Sequence, residues 1–189
     1  LGVVILGFRR AAFSNEAGIG SSSIAHSAVK TREPLTQGFV AMLEPFIDTV
    51  VICTMTGLVL VTTIYDPSLT EEGVALTSKA FGSAFAAAPY LLAVAVMLFA
   101  FSTAISWSYY GLKGWTYLFG EAEWAKKSFQ LVFCAFTAIG CMVELNSVVD
   151  LSDAMIFVLA IPNLAGMYLM ARTVREEIEG YLAEIRAQG

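Results

Sequence analysis

Long apolar runs dominate the chain, and charge is confined to short clusters between them. From Gly38 to Tyr65 the only charged residues are Glu44 and Asp48, and Thr49–Ile64 is the densest apolar part. From Ala80 to Leu112 there is no charged residue at all. Ser128–Val143 is bounded by Lys126-Lys127 and Glu144, and Ala154–Ala171 is interrupted by Pro162-Asn163. A helix needs about 20 mostly apolar residues to cross a bilayer core of about 30 Å. The pattern predicts an all-α membrane protein with four full spans, at about 38–64, 85–112, 127–144 and 153–171. A partial helix over 1–25 precedes them. At about 1.5 Å per residue, Ala80–Leu112 outreaches a bilayer core, so it must tilt, break near Pro89 or begin outside the membrane.

The last segment differs. Val174, Ile178, Tyr181, Leu182 and Ile185 recur at helical spacing among Glu and Arg. Residues 172–189 therefore read as a cytoplasmic amphipathic tail, solvated or lying on the membrane surface, and 1–171 as the transmembrane region.

Composition agrees with a bilayer as solvent. Of 189 residues 57% are hydrophobic and only 14% charged, with a mean hydropathy of +0.70. A soluble domain usually carries about 25% charged residues. Cys53, Cys134 and Cys141 lie inside apolar runs, without metal-ligand or disulfide spacing, and read as small hydrophobes. The net charge is −5 and no basic run carries interleaved aromatics, which argues against nucleic-acid binding. The chain opens at Leu1 inside an apolar stretch, and Arg9-Arg10 follow that stretch. A signal peptide has the reverse order, so the start reads as a truncated chain.

Arg9, Arg10, Lys30 and Arg32 flank the first connection; Lys113, Lys126 and Lys127 lie around the third; Arg172 and Arg175 follow the last span. The second connection holds Asp66, Glu71 and Glu72 with a single Lys79, and the fourth has no Lys or Arg. This alternation places the first and third connections and the C-terminus in the cytoplasm. Trp115, Tyr117 and Trp124 suit an interfacial belt.

Polar groups at depth and helix interruptions carry the chemistry in such a protein. The small residues of Phe13–Ser23 permit either close helix approach or an unwound backbone, with Asn15 and Glu16 beside that weak point. The stretch reads either as an ordinary helix end or as a gate or coupling element built from Ser14, Asn15, Glu16, Gly18, Gly20 and Ser21. His26 follows as a plain polar residue. Glu44 and Asp48 share a helix face, with Pro45 kinking the helix between them. They sit at headgroup level or face a partner or water, and Asp48 joins the coupling candidates. In Phe99–Gly111, Ser102, Ser106 and Tyr109 line one face while Thr103, Trp107 and Tyr110 line the next. These hydroxyls either bond back to their own helix or form an ion and ligand wall. Hydroxyl and carbonyl oxygens suit a monovalent cation, and Trp107 can close one side of a small pocket. Pro162 frees a carbonyl, and Asn163 stands ready for a neighbour. No enzyme signature, P-loop or dinucleotide motif occurs in a fitting context.

Phe13–Gly20 with Ser21 and Ile24-Ala25-His26 resembles the F-S-N-E-A-G-x-G-S stretch of the alanine or glycine:cation symporter family. The likeness continues through Gln37-Gly38, Phe46–Thr49 and Cys53-Thr54. It resumes at Phe99–Gly111, which resembles the family's A-F-S-T-x-x-x-W-S-Y-Y-G pattern. Arg9-Arg10-Ala11-Ala12 departs from the family's Arg-Gly before the aromatic. The resemblance implies a leucine-transporter-like fold of two inverted five-helix repeats, this chain being the second. It implies sodium as coupling ion, no cofactor, and symport of alanine or glycine by alternating access across the inner membrane. An N-terminal half of the same carrier would complete it. By position, Thr103 and Trp107 are implied as substrate-binding, and Ser102 and Thr103 as sodium-binding. The glycine-rich midplane part of the broken sixth helix would then lie before Leu1, with Ser14–Ser21 below the pocket. The rival reading is a non-transporting helical module, a receptor or scaffold; a channel is a third.

Overall fold

The computed structural model describes residues 1–64 and 73–188. All its regular structure is helical: α1 Gly2–Asn15, α2 Ser21–Ser27, α3 Pro34–Pro45, a π-helical segment Phe46–Cys53, α4 Thr54–Ile64, α5 Gly73–Ala84, α6 Ala88–Phe119, α7 Glu123–Gly140 and α8 Leu145–Gln188. Among the described residues, three continuous helical runs are long and apolar enough to cross a membrane: Pro34–Ile64, Ala88–Phe119 and Leu145–Ala187. The 18-residue α7 begins with Glu123, Lys126 and Lys127 in its first turns. The acidic stretch Asp66, Glu71 and Glu72 lies outside the described residues.

Pro45 shapes the first long run. It has no N–H, so the carbonyl four residues back loses its helical donor and the register is free to shift. The chain answers with the π-helical Phe46–Cys53, then returns to α geometry at Thr54. A π segment inside a helix redirects the side chains it carries. Here it carries Asp48 and Thr49.

Pro89 acts as a start signal. The helix before it ends at Ala84, and α6 begins at Ala88 with Pro89 in its first turn, where a missing N–H leaves no bond unmade. At its other end α6 runs to Phe119, seven residues past the Leu112 at which the apolar run stops. Lys113 is accommodated within the helix, its ammonium lying over the Tyr109 ring 5.5 Å from the centroid. The third connection is therefore Gly120–Ala122, and Lys113, Trp115 and Tyr117 belong to the helix. Similarly, Leu145–Gln188 is one helix, with Pro162 inside it and no interruption at 171.

Packing is close where residues are small. Ala80, Ala88 and Ala125 are buried, with Ile19, Phe129 and Ile156, and among the described residues no large side chain is completely buried. A β-carbon placed on Gly111 of α6 would stand 2.7 Å from Phe129 Cζ of α7, so only glycine allows that approach. Small residues at helix contacts and large apolar ones facing outward is the arrangement expected where lipid replaces water.

Salt bridges fix the relative depth of α1 and α8. Arg9 Nη2 lies 2.7 Å from Asp153 Oδ2, and Arg10 Nη1 lies 3.4 Å from Asp153 Oδ1. Further along, Asn163 Nδ2 donates to Gly18 O at 2.8 Å. The two elements thus run parallel. Asp153 precedes Arg172 by 19 residues of one helix, about 28 Å along its axis. Arg9 and Arg10 are therefore at the opposite end of the bundle from Arg172 and Arg175. This corrects the sequence grouping of Arg9 and Arg10 with Lys30 and Arg32. Charge order along the chain misled because the short break after α1 carries the chain on through the bundle before it turns.

Candidate functional site

The helix that opens the chain is broken, and the break builds one wall of the site. α1 ends at Asn15, whose Oδ1 accepts from the Ala17 N–H at 2.9 Å. Glu16 follows at φ 54°, the left-handed conformation that closes many helices. Gly18 and Gly20 sit at φ 81° and 94°, where a β-carbon would be strained. The helix resumes at Ser21. The discontinuity thus occupies Glu16–Gly20, inside the chain. The expectation that the break precedes Leu1, with Ser14–Ser21 beneath the pocket, does not hold: Ser14 and Glu16 line the same groove as Thr103 and Trp107. Hydropathy does not register an interruption five residues long.

Ser14 and Asn15 tie this broken helix to the π segment. Ser14 Oγ donates to Asp48 Oδ2 at 2.7 Å. Asn15 Nδ2 donates to Thr49 Oγ1 at 2.8 Å, and Thr49 Oγ1 donates to Asp48 Oδ2 at 3.3 Å. One carboxylate therefore accepts two hydroxyl protons, from two helices. Asp48 is half-buried and pairs with neither Arg nor Lys among the described residues.

The facing wall comes from α6. Ser102, Thr103, Ser106, Trp107 and Tyr110 all line the groove, whose volume is about 880 Å³. Tyr109 does not; it packs edge-on against Tyr110, ring centroids 6.3 Å apart. Ser102 Oγ donates to Phe99 O and Ser106 Oγ to Ser102 O, both at 3.0 Å. These back-bonds consume the hydroxyl protons and leave the oxygen lone pairs free. A hydroxyl in that state can offer an oxygen to a cation. Trp107 stands edge-on to Tyr110, centroids 5.8 Å apart, and forms the aromatic part of the wall.

The groove holds the carboxylates of Glu16, Glu44 and Asp48 and no Lys or Arg among its described lining residues. Such a lining favours a cation, or the ammonium end of a zwitterion. Of the sequence candidates, Ser14, Glu16, Asp48, Ser102, Thr103 and Trp107 meet in this one groove. Asn15, Gly18 and Gly20 line a second cavity beside it. Ser21 is buried, 6% exposed, and its hydroxyl has no hydrogen-bond partner among the described residues.

Sequence reasoning missed His26 as a member of the site. Its Nε2 lies 3.1 Å from Glu44 Oε2, and Gln37 Nε2 lies 2.6 Å from its Nδ1. The signal available was that Gln37 and Glu44 are seven residues apart, two turns on one helix face. That the chain between residues 28 and 33 turns His26 onto that face is not written in any spacing.

The sodium:alanine symporter family matches the chain over residues 1–189. The chain belongs to that family. It is similar to the sodium/alanine symporter AgcS of Methanococcus maripaludis, 37% identical over 184 residues, covering 94% of this chain and 40% of AgcS. It is 30% identical over 189 residues to the amino-acid carrier protein AlsT of Bacillus subtilis, covering 100% of this chain and 40% of AlsT. The probable sodium/glutamine symporter GlnT of the same bacterium is 31% identical over 197 residues, covering 99% of this chain and 39% of GlnT. The chain thus spans about two fifths of the length of these relatives. The sodium:alanine symporter family is one of membrane transporters, not of enzymes. Within this family member the broken helix, the π segment and the hydroxyl face of α6 surround one groove.

Proposed function

We propose that this chain is the C-terminal part of a sodium-coupled carrier of a small amino acid, alanine or glycine, in the plasma membrane. The observation that carries the reading is the groove in which three carboxylates face the oxygen-rich, Trp107-capped wall of α6. Ser102 and Thr103 offer oxygens to sodium. Thr103 and Trp107 bound the substrate, whose ammonium end is drawn to the acidic side. The names of AgcS and AlsT support the ion and the substrate class, and GlnT makes a larger side chain worth testing.

A helix broken within the membrane, with its break facing a central groove, is a recurring element of inverted-repeat carriers. It supports a leucine-transporter-like second repeat, with the chain's N-terminal partner supplying the remaining walls. Alternating access follows from that architecture: α1, α2 and the π segment move against α6. Lys30, Arg32, Arg172 and Arg175 support a cytoplasmic C-terminus. In a symporter of this kind the coupling is reciprocal: by whatever factor sodium raises the amino acid's affinity, the amino acid raises sodium's.

The test is uptake of labelled alanine and glycine into proteoliposomes holding the full-length protein. Uptake is expected to require an inward sodium gradient and to saturate, with the unlabelled amino acids competing. Equal uptake with potassium in place of sodium would sink the coupling. Saturable binding without any transport would favour a receptor.

A further inference from the structure

Two cavities meet at a shared wall. The groove of about 880 Å³ and the second cavity of about 730 Å³ are both lined by Glu16, Ser22 and His26. The second cavity extends to Thr31 and Pro34, at the start of α3. That end of α3 lies beside the C-terminal part of α8, where Phe39 meets Tyr181 with ring centroids 6.1 Å apart. The second cavity is therefore on the side of the bundle that carries Lys30, Arg32, Arg172 and Arg175.

His26 is well placed to hold the wall. Its side chain is 24% exposed, and it joins α2 to two residues of α3, Gln37 and Glu44, on one helix face. Gln37 donates to Nδ1, so the imidazole proton is on Nε2 and points to the Glu44 carboxylate. α2 has only seven residues and follows a break, so it has little stability of its own. Its position depends on such tertiary bonds.

We propose that His26, held by Gln37 and bonded to Glu44, is the latch of an inner closure between the groove and the second cavity. Releasing it joins the two spaces into an exit path toward the basic side of the membrane. The inference rests on the carrier reading for its purpose, but the closure can be measured without transport.

The experiment uses the full-length protein with Cys53, Cys134 and Cys141 replaced by alanine and Val40→Cys as reporter. Val40 lines the groove and not the second cavity. A membrane-impermeant thiol reagent is applied from the side carrying Lys30 and Arg172. His26→Ala should raise the labelling rate about tenfold, as expected for losing one hydrogen bond to a charged group. His26→Gln, whose amide can still donate to Glu44, should restore most of the closure. Labelling of His26→Ala at the parental rate overturns the proposal. If His26→Ala does not assemble, Gln37→Leu decides, since it frees the imidazole while leaving Glu44 in place: faster labelling supports the latch and an unchanged rate overturns it. Sodium-driven uptake by the parent, measured in the same vesicles, tests the carrier reading separately; its failure would leave a labelling difference standing.

Discussion

Ser14 Oγ donates a 2.7 Å hydrogen bond to Asp48 Oδ2, and so fastens the last turn of a broken helix to a π-helical segment 34 residues further on. Asp48→Asn keeps an oxygen for Ser14 but removes a negative charge from the groove. In full-length protein the sodium concentration for half-maximal uptake should rise about tenfold, within the range of a single charge pair between water and protein interior. An unchanged sodium dependence would exclude Asp48 from the coupling. A double-mutant cycle with Ser14→Ala should show coupling of about 0.5–1.5 kcal/mol in thermal unfolding.

Thr103 separates shape from chemistry. Thr103→Val keeps the branched side chain and removes the hydroxyl that lines the groove. If that oxygen serves both ion and substrate, apparent affinity for both should fall, each by about tenfold, the worth of one hydrogen bond to a charged group. Isothermal titration of alanine at two sodium concentrations checks it. A loss confined to one ligand would assign Thr103 to that ligand alone.

Gly111 and Gly114 make a matched pair on α6. A β-carbon on Gly111 would stand 2.7 Å and 2.9 Å from two Phe129 ring atoms, and one on Gly114 would meet nothing within 4 Å. Phe129 is buried among Trp115 and Phe133, so its ring has little freedom to give way. Gly111→Ala should destabilise the protein by about 1–3 kcal/mol, as overpacking usually does. Gly114→Ala should be neutral or slightly stabilising, since alanine favours a helix. Thermal unfolding in detergent distinguishes them; equal melting temperatures would refute the close α6–α7 contact.

The long spans were legible because apolar runs of that length have few other uses. The hydroxyl face of α6 was legible because helical periodicity assigns faces without knowledge of partners. The residues opposite it were legible as polar groups in the wrong solvent, but not as neighbours. Asp48 meets Ser14 from a π-helical segment that follows Pro45, a register that helical periodicity does not anticipate. Whether Phe13–Ser23 is broken stays open in the sequence for a different reason. Glycines at 18 and 20 serve equally for close helix packing and for positive φ, and hydropathy averages over five residues. The apolar run stops at Leu112, but the helix does not, and Lys113 lies within it. A lysine whose ammonium lies over the Tyr109 ring one turn back belongs to the helix face, not to its end.

Gly20 combines two restraints that Gly18 separates. Both have positive φ, 94° and 81°. A β-carbon on Gly20 would also approach Asn163 Oδ1 to 3.2 Å, while one on Gly18 would meet open space. Gly18→Ala should cost about 1 kcal/mol of strain and spare the fold. Gly20→Ala should cost more and push Asn163 away, breaking its bond to Gly18 O. Gly20→Ala with Asn163→Ala should recover part of the loss, because the crowding is removed although the strained φ remains. No recovery in the double variant would show that the cost lies in the backbone alone.

Asp153 is 3% exposed, whereas the Arg9 and Arg10 side chains retain 38% and 46% exposure. The asymmetry decides which loss hurts more. Arginines deprived of Asp153 can turn their heads to water or headgroups. A buried carboxylate deprived of both arginines has no such recourse and must remain desolvated or take up a proton. Arg9→Gln with Arg10→Gln should therefore destabilise the full-length protein by about 3 kcal/mol. Asp153→Asn should cost less, about 1–2 kcal/mol, the worth of the hydrogen bonds it weakens. Of the single arginine variants, Arg9→Gln should exceed Arg10→Gln, since its contact is 2.7 Å against 3.4 Å. Thermal unfolding gives the order. Finding Asp153→Asn to be the most damaging of the set would mean that the arginines, not the carboxylate, are the groups stranded by the loss.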